Sequence, residues 1–526
     1  MSSATHVQPA ALAPPAQYPA PEALFRGTFN ETYGTPEDFQ TAITELRKKF
    51  PSEGLVTTDS DVLRAHGYTH LDLHPELPPT VVVYPQSTAQ VVEIVQIANR
   101  HRMPVIPYSA ATSLEGHCRA TPIGGIAVDM TTMNRILEVH AADADVVCQP
   151  GLKWVDLNET LKNDGIPLFF PLDPSPGATI GGMLSTGCSG TNAVRFGTAK
   201  GEWFLNATIV LPNGEVIKTR QRSRKCSAGF DTTKLFIGAE GTLGIVTEVT
   251  VRLAPLLNTA IAVVHFPDVR SATTAVGEIL TKTTGIQCAE LCDNGYMRNV
   301  NRTGLSPIQW PELDTILFKF QGSTTRSIEE VSDVAREISA KYGGTGFRFA
   351  KDAKEEADIW AFRKMGVLWI RDVLCPSSEP WATDVCVPVT SLPDLVSETK
   401  KDIDNSGIVS AIIGHVGDGN FHAALYARDE AEIEACRQIV HRMNKRAIAL
   451  DGTCTGEHGV GIGKRGYLND ELGEGTVALM KTIKKALDPY NLFNPGKVRY
   501  TDGVSTPSFT FRFPVVSSLN VPRRLL

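Results

Sequence analysis

The stretch GHVGDGNFH, Gly414 to His422, holds two histidines seven positions apart with glycines at Gly414, Gly417 and Gly419. Imidazoles can ligate a metal or accept a proton, so the local geometry matters. A helix would bring both rings to one face, but each glycine weakens it by about 1 kcal/mol relative to alanine. A straight strand sends residues an odd number apart to opposite faces. What remains is a strand ending near His415, a tight turn over 416–420, and a second strand from Phe421, with both imidazoles at one end. A hairpin whose histidines are incidental fits the same residues. Further on, GTCTGEHGVGIGK sets Glu457 beside His458 in another glycine-rich loop. Adjacent side chains diverge, so one can join a metal while the other faces a substrate. His415, His422 and Glu457 together form a two-histidine, one-carboxylate set with open coordination positions. Such ligands suit zinc or manganese, and the open positions suit a substrate that chelates through hydroxyl and carboxylate oxygens. The alternative is a Glu457–His458 pair satisfied within its own loop.

Three segments in the first half are rich in small residues: PYSAATSLEGH (Pro107 to His117), PSPGATIGGMLSTGCSGTNAVRFGT (Pro174 to Thr198) and GAEGTLG (Gly238 to Gly244). Small side chains let a ligand approach the backbone, and successive N–H groups form concavities for phosphate oxygens. One such loop is ordinarily a turn; three in one region point to a nucleotide cofactor of open type. A GxGxxG occurs at Gly461, Gly463 and Gly466, but no β-branched strand runs into it, as a Rossmann fingerprint requires. GxxxxGK[ST] is absent. A dinucleotide would therefore be held by a different fold.

These residues need elements to position them. PEDFQTAITELRKKF spaces its apolar residues helically behind a proline. From Thr80 a β-branched run, a Ser87/Thr88 cap, a helix to about His101 and a strand over 104–107 give a β-α-β unit. Strands follow over 125–130, 146–149, 207–211 and 244–253. Beyond Pro255, strands over 261–266, 315–320 and 409–414 alternate with amphipathic helices over 326–342 and 429–450. This predicts a second α+β unit with an antiparallel sheet. A last helix is expected over 474–487, and the tail from Thr501 carries an alternating SFTFRF of unassigned role.

Length and composition narrow the function classes. The chain has 526 residues, ample for several domains and a large core. A net charge of -7 argues against a nucleic-acid partner, and the basic run Arg220 to Lys225 reads as a solvated loop. No stretch is apolar for the roughly 18 to 20 residues a membrane helix needs. Ten cysteines without a CxxC pair suit a reducing compartment. The first 25 residues are rich in Ala and Pro and lack Lys and Arg, so neither a secretory leader nor a mitochondrial presequence is expected there, only a loosely tied arm.

PYSAATSLEGH, DPSPGATIGGM with SGTNAVRFGT, GAEGTLGIVTEV, TDVCVP, GHVGDGNFH, GTCTGEHG and NPGKV stand in the order found in the FAD-dependent D-2-hydroxy-acid dehydrogenases of the vanillyl-alcohol-oxidase type. The chain resembles that family from about Pro51 to Tyr500. The resemblance implies an α+β architecture: a two-subdomain FAD-binding domain of the PCMH type over 51–255, then a cap domain with an antiparallel sheet over 256–500. Residues 1–50 are left as an arm and helix, and 501–526 as a tail. It assigns Ser109, Ala110, Ala111, Thr112, Ser113 and Leu114 to the FAD diphosphate. Pro174, Gly177, Ala178, Thr179, Gly181, Gly182, Ser189 and Gly190 go to the flavin side. Glu240, Gly241, Gly244, Ile245 and Val246 go to the adenosine region, and Asn494 to the same cofactor. It carries His415, His422 and Glu457 to a Zn2+ or Mn2+ ion, His458 to the base, Asn420 to a substrate hydrogen bond and Arg363 to the substrate carboxylate. That last pairing agrees with the bidentate fork arginine offers a carboxylate.

Three departures carry information. The family usually reads GGGTSLEG where this chain has SAATSLEG, and the added Cβ atoms tighten the loop or weaken FAD binding. Relatives with covalent flavin often carry histidine where this chain has Thr112, which implies noncovalent FAD. Relatives acting on D-2-hydroxyglutarate carry a lysine at the position of Ala382 and a hydroxyl residue at that of Val367. A short monocarboxylate, D-lactate ahead of D-2-hydroxybutyrate and glycolate, is therefore the expected substrate. Cytochrome c, a quinone or an electron-transfer flavoprotein would take the electrons, in a mitochondrial or cytoplasmic setting. A D-2-hydroxyglutarate dehydrogenase, a glycolate-oxidase-type subunit and a non-catalytic FAD-binding protein stand as alternatives.

Overall fold

The computed structural model describes residues 33–69, 72–376, 378 and 380–498. The expected N-terminal arm and the SFTFRF tail lie outside these residues. The β-branched run Val81–Val83 is fully buried and pairs in parallel with Ile126–Asp129, which pairs in parallel with Val105–Tyr108. Parallel neighbours need a crossover, and the helix Thr88–Arg100 supplies it, its first turn capped by the Ser87 hydroxyl accepting from the Gln90 amide. Val91, Ile94, Val95 and Ala98 of that helix share a core with Phe39, Ala42, Ile43 and Leu46 of the helix Pro36–Lys49.

A second subdomain is a five-stranded antiparallel sheet in the order Ile136–His140, Asp145–Cys148, Ile245–Arg252, Phe204–Val210, Val216–Lys218. Its core takes in Leu157 and Leu161 of the helix Trp154–Asn163, and Ile180, Met183 and Leu184 of the short helix Ile180–Thr186. That helix stops at Gly187 in the left-handed conformation, φ 70°, which glycine adopts without a Cβ clash. The small-residue loops thus sit between two rigid layers.

The cap is an eight-stranded antiparallel sheet. Alternation decides its faces. Ala262, Val264, Ile316, Phe318, Ala289, Leu291, Phe421 and Ala423 pack on one side against the helices Val269–Lys282, Thr325–Lys341, Leu392–Ser406 and Glu430–Ala449. Ile261, Val263, Leu317, Cys292, Ala424 and Tyr426 pack on the other against Asn294–Thr303 and Ala353–Leu374. With both faces covered, the strands read as near-continuous apolar runs; all seven residues of Ile286–Cys292 are buried.

The last part of the expected cap does not stay with it. Ile483 and Leu487 of the helix Leu468–Leu487, which kinks at Gly473, pack on the second subdomain. Leu492 and Phe493 enter the core of the first. The Asn494 amide donates to the Val105 carbonyl at 2.7 Å. The chain therefore closes by tying the cap back onto the FAD-binding half. All ten cysteines are unpaired, and among the described residues no helix is long and apolar enough to cross a membrane.

Candidate active site

The histidine hairpin forms as its glycines require. Strand Val409–His415 runs into a 3-10 turn over Val416–Asp418, Gly419 takes φ 77°, and strand Asn420–Tyr426 returns. Ile413 lies opposite His422. Reversal of the chain therefore puts two residues an odd number apart on one face, the one covered by helix Ala353–Leu374. The imidazole centroids are 5.4 Å apart. His415 Nε2 and His422 Nε2 each lie 3.1 Å from Glu457 Oε1, so the three ligands proposed from sequence meet.

The far nitrogens explain why the near ones point inward. His415 Nδ1–H donates to Glu290 at 2.9 Å and 3.0 Å, and His422 Nδ1–H donates to the Thr383 carbonyl at 2.9 Å. Each bond turns its ring so that Nε2 faces Glu457, the orientation that metal-ligating histidines ordinarily have. Ser189 donates its hydroxyl to Glu457 Oε2 at 2.7 Å, leaving Oε1 toward the rings. Burial works against a charged His415, yet Glu290 and Glu457 outweigh it and hold this imidazole well above its ordinary value. Two carboxylates facing two imidazoles favour positive charge at their centre, and a divalent cation meets that demand. The donor set fits zinc or manganese.

His458 stacks on His422 with centroids 4.8 Å apart and planes 16° from parallel. Its Nδ1 is buried without a hydrogen-bond partner, 4.0 Å from Asp384 Oδ2. Burial lowers its pKa despite Asp384, so the ring is neutral and able to accept a proton. Asp384 is a hub that sequence reasoning did not assign. Its Oδ2 accepts from the backbone amides of Glu457 and His458, both at 2.8 Å, and from the Thr455 hydroxyl at 2.9 Å. Its Oδ1 accepts from Asn420 Nδ2 at 2.9 Å. Asn420 Nδ2 also donates to the Val385 carbonyl, while its Oδ1 is buried and unpartnered; Asn420 is not among the residues lining the cavity between the domains.

Glu290 is the other residue missed. It is fully buried, and its Oε2 lies 2.6 Å from Arg363 Nη2. Burial pushes Glu290 toward protonation, but His415 and Arg363 outweigh it and keep the carboxyl below its ordinary range. Arg363 is 5% exposed and its Nε has no partner, which leaves a donor for an incoming carboxylate. A lone acid inside the apolar run IQCAELC was the available signal.

The three small-residue loops enclose one cavity between the domains, and Glu457 and His458 of the cap line it with them. Of the residues the resemblance assigned to FAD, Ser109 to Leu114, Pro174, Ala178, Thr179, Gly181, Gly182, Glu240, Gly241, Gly244, Ile245, Val246 and Asn494 line it. Gly177 faces Thr112 beside it, Gly190 packs on Asp173, and Ser189 holds Glu457. The Glu240 carboxylate is committed to the Val460 and Gly461 amides, at 2.6 Å and 2.8 Å. Ala111 sits at φ 51° where the family has glycine, a conformation that costs an L-residue about 1–2 kcal/mol. Tyr108, His117 and Met183, which lie in the same segments but were not assigned individually, also line the cavity. A cavity walled by these small residues fits a dinucleotide.

Comparison with known proteins agrees. Residues 79–220 match the FAD binding domain, and residues 257–498 match the C-terminal domain of FAD linked oxidases. The chain is 41% identical over 483 residues to "D-lactate dehydrogenase [cytochrome], mitochondrial" of Arabidopsis thaliana, covering 91% of this chain and 82% of that protein. It is 42% identical over 451 residues to "D-lactate dehydrogenase [cytochrome] 1, mitochondrial" of Saccharomyces cerevisiae, covering 84% and 76%. The fold is shared with 4-ethylphenol oxidase from Gulosibacter chungangensis at TM-score 0.73 and 18% identity, over 89% of this chain and 98% of that one. Identity of this order across most of both chains, on a fold that brings the FAD-binding loops and the cap to one cavity, leads to one conclusion: the chain belongs to the family of the FAD-dependent D-lactate dehydrogenases of the cytochrome type.

Proposed function

We propose that the protein oxidises D-lactate, or a similar short D-2-hydroxy acid, to the 2-keto acid, with a divalent metal and a histidine base assisting and a cytochrome as electron acceptor. The observation that carries this reading is the entry of Glu457 and His458 into the cavity built by the FAD loops. Bound there, FAD supplies the hydride acceptor and the metal at His415, His422 and Glu457 the Lewis acid. Arg363, its Nη2 held by Glu290, offers its free Nε to the substrate carboxylate. Neutral His458 accepts the hydroxyl proton, and the Asp384 carboxylate beside it stabilises the imidazolium that results. Asp384 also pins the backbone amides of Glu457 and His458, so the base is held in place before substrate arrives.

Acceptor and compartment rest on the relatives, whose names specify cytochrome and mitochondrial. The substrate size rests on Ala382, which pairs with Ala424 on the strand that carries His422. Lys464 and Arg437 line a cleft next to Ala382. Lys464 Nζ is engaged by the Cys454 carbonyl at 3.0 Å, and Arg437 by Glu434. Neither offers an unengaged anchor for a second carboxylate. D-lactate should therefore exceed D-2-hydroxyglutarate in kcat/KM by about 10-fold or more, the equivalent of about 1.4 kcal/mol in the barrier. Anaerobic addition of D-lactate should bleach the flavin absorbance. An unbleached spectrum would overturn the function, and preference for the dicarboxylate would overturn the pocket reading.

Thr112, which lines the cavity, offers no nucleophile able to keep a flavin bond through denaturation. Acid precipitation should release all yellow colour to the supernatant. Flavin left in the washed pellet would show a covalent link.

A further inference from the structure

A buried carboxylate needs partners, and Glu290 has two that belong to different functions. It lies directly opposite His415 across an antiparallel strand pair, so both side chains leave the sheet on the same face. Helix Ala353–Leu374 covers that face and lowers Arg363 onto the same carboxylate. Three elements, two strands and a helix, are joined through one group. Were this only a structural ion pair, the guanidinium would be expected to be satisfied, yet Arg363 Nε is buried without a partner. The fixed imidazole meets Glu457, which lines the cavity, and the free donor belongs to the guanidinium held by the same carboxylate.

We propose that Glu290 is a positioning residue that sets the separation between the metal ligand His415 and the carboxylate anchor Arg363, and so selects acids whose hydroxyl and carboxylate sit on adjacent carbons. This rests on the function proposed above. A 2-hydroxy acid presents its two oxygen groups one bond closer along the chain than a 3-hydroxy acid does. An anchor free to shift relative to the metal would accept either. Glu290 removes that freedom by gripping both ends, with His415 Nδ1 at 2.9 Å and Arg363 Nη2 at 2.6 Å. Its hold on His415 also keeps Nε2 turned toward Glu457 and the metal position, so one substitution should disturb two separately measurable properties.

The test uses the full-length flavoprotein. Mn2+ affinity is measured by equilibrium dialysis, without turnover, and kcat/KM for D-lactate and for D-3-hydroxybutyrate by flavin-coupled assay. Glu290→Gln should weaken Mn2+ binding by about 10- to 100-fold, the usual scale for loss of a carboxylate behind a ligating histidine. It should also raise the KM for D-lactate and shrink the preference for D-lactate over D-3-hydroxybutyrate by about 10-fold. Arg363→Lys should raise the KM but leave Mn2+ affinity unchanged. If Glu290→Gln does not yield soluble flavoprotein, Glu290→Asp, which keeps the charge and loses the reach, is read by the same three quantities. Wild-type selectivity and KM in a Glu290 variant, or a change in Mn2+ affinity alone, would overturn the proposal while leaving the function intact. A wild-type protein that binds no Mn2+ or Zn2+, or an Arg363→Lys variant with unchanged KM, would remove the metal or the anchor from the proposed function and this proposal with it, while an unbleached flavin would remove the function itself.

Discussion

His458→Ala is expected to keep its flavin and its metal while losing about 100-fold or more in the rate of anaerobic flavin reduction by D-lactate, the usual scale for a positioned proton acceptor. The expectation follows from where the ring sits. It stacks on His422 but its Nδ1 bonds to nothing, and no atom of it is required by the set formed by His415, His422 and Glu457. Burial keeps the imidazole neutral, so the rate depends on an acceptor that alanine cannot supply. Stopped-flow absorbance beside elemental analysis separates the roles. A His458→Ala protein that had lost its metal would move His458 into the coordination set. Asp384, His422 and His458 also lie close enough to hold an ion, which gives that outcome a structural meaning.

The second large effect is expected at the ligands themselves. Replacing His415, His422 or Glu457 by alanine should remove metal and activity together while FAD remains. In the proposed set each supplies one of three donor atoms, and each is held by a separate support: Glu290 behind His415, the Thr383 carbonyl behind His422, the Ser189 hydroxyl behind Glu457. Loss of one ligand leaves two, too few to hold a divalent ion against water. FAD is retained because most of its cavity is built by the other domain. Metal content and the flavin-to-protein absorbance ratio of the three variants check this. An active, metal-free His415→Ala enzyme would end the metal assignment.

Much of the site was legible from local chemistry. Three glycines in nine residues exclude a helix, and a hairpin follows that delivers His415 and His422 to one end. The small-residue loops announce a ligand near the backbone, and all three line one cavity. The β-α-β unit, the helices over 325–341 and 430–449 and the antiparallel cap sheet obey periodicity and capping rules that act within a few turns of chain.

What the sequence determined by itself, then, was which residues are chemically able and which local shapes they take. Only the tertiary structure decided who stands behind them. Glu290 reads as one polar letter in a strand of buried residues, and nothing local links it to His415, 125 residues away. The link depends on which strand of the cap lies next to which and in what register, and burial of apolar faces over the whole sheet settles that. Asp384 likewise becomes a hub only when the loop after the helix Glu430–Ala449 folds back onto the strand side. Ser189 reaches Glu457 only because the cap closes on the FAD-binding half, 268 residues away in sequence. The return of Leu492, Phe493 and Asn494 to the first subdomain completes the closure, since these residues find buried apolar neighbours and backbone partners there. Local chemistry proposed the candidate ligands, the family resemblance the candidate base, and long-range packing chose the carboxylates that stand beside them.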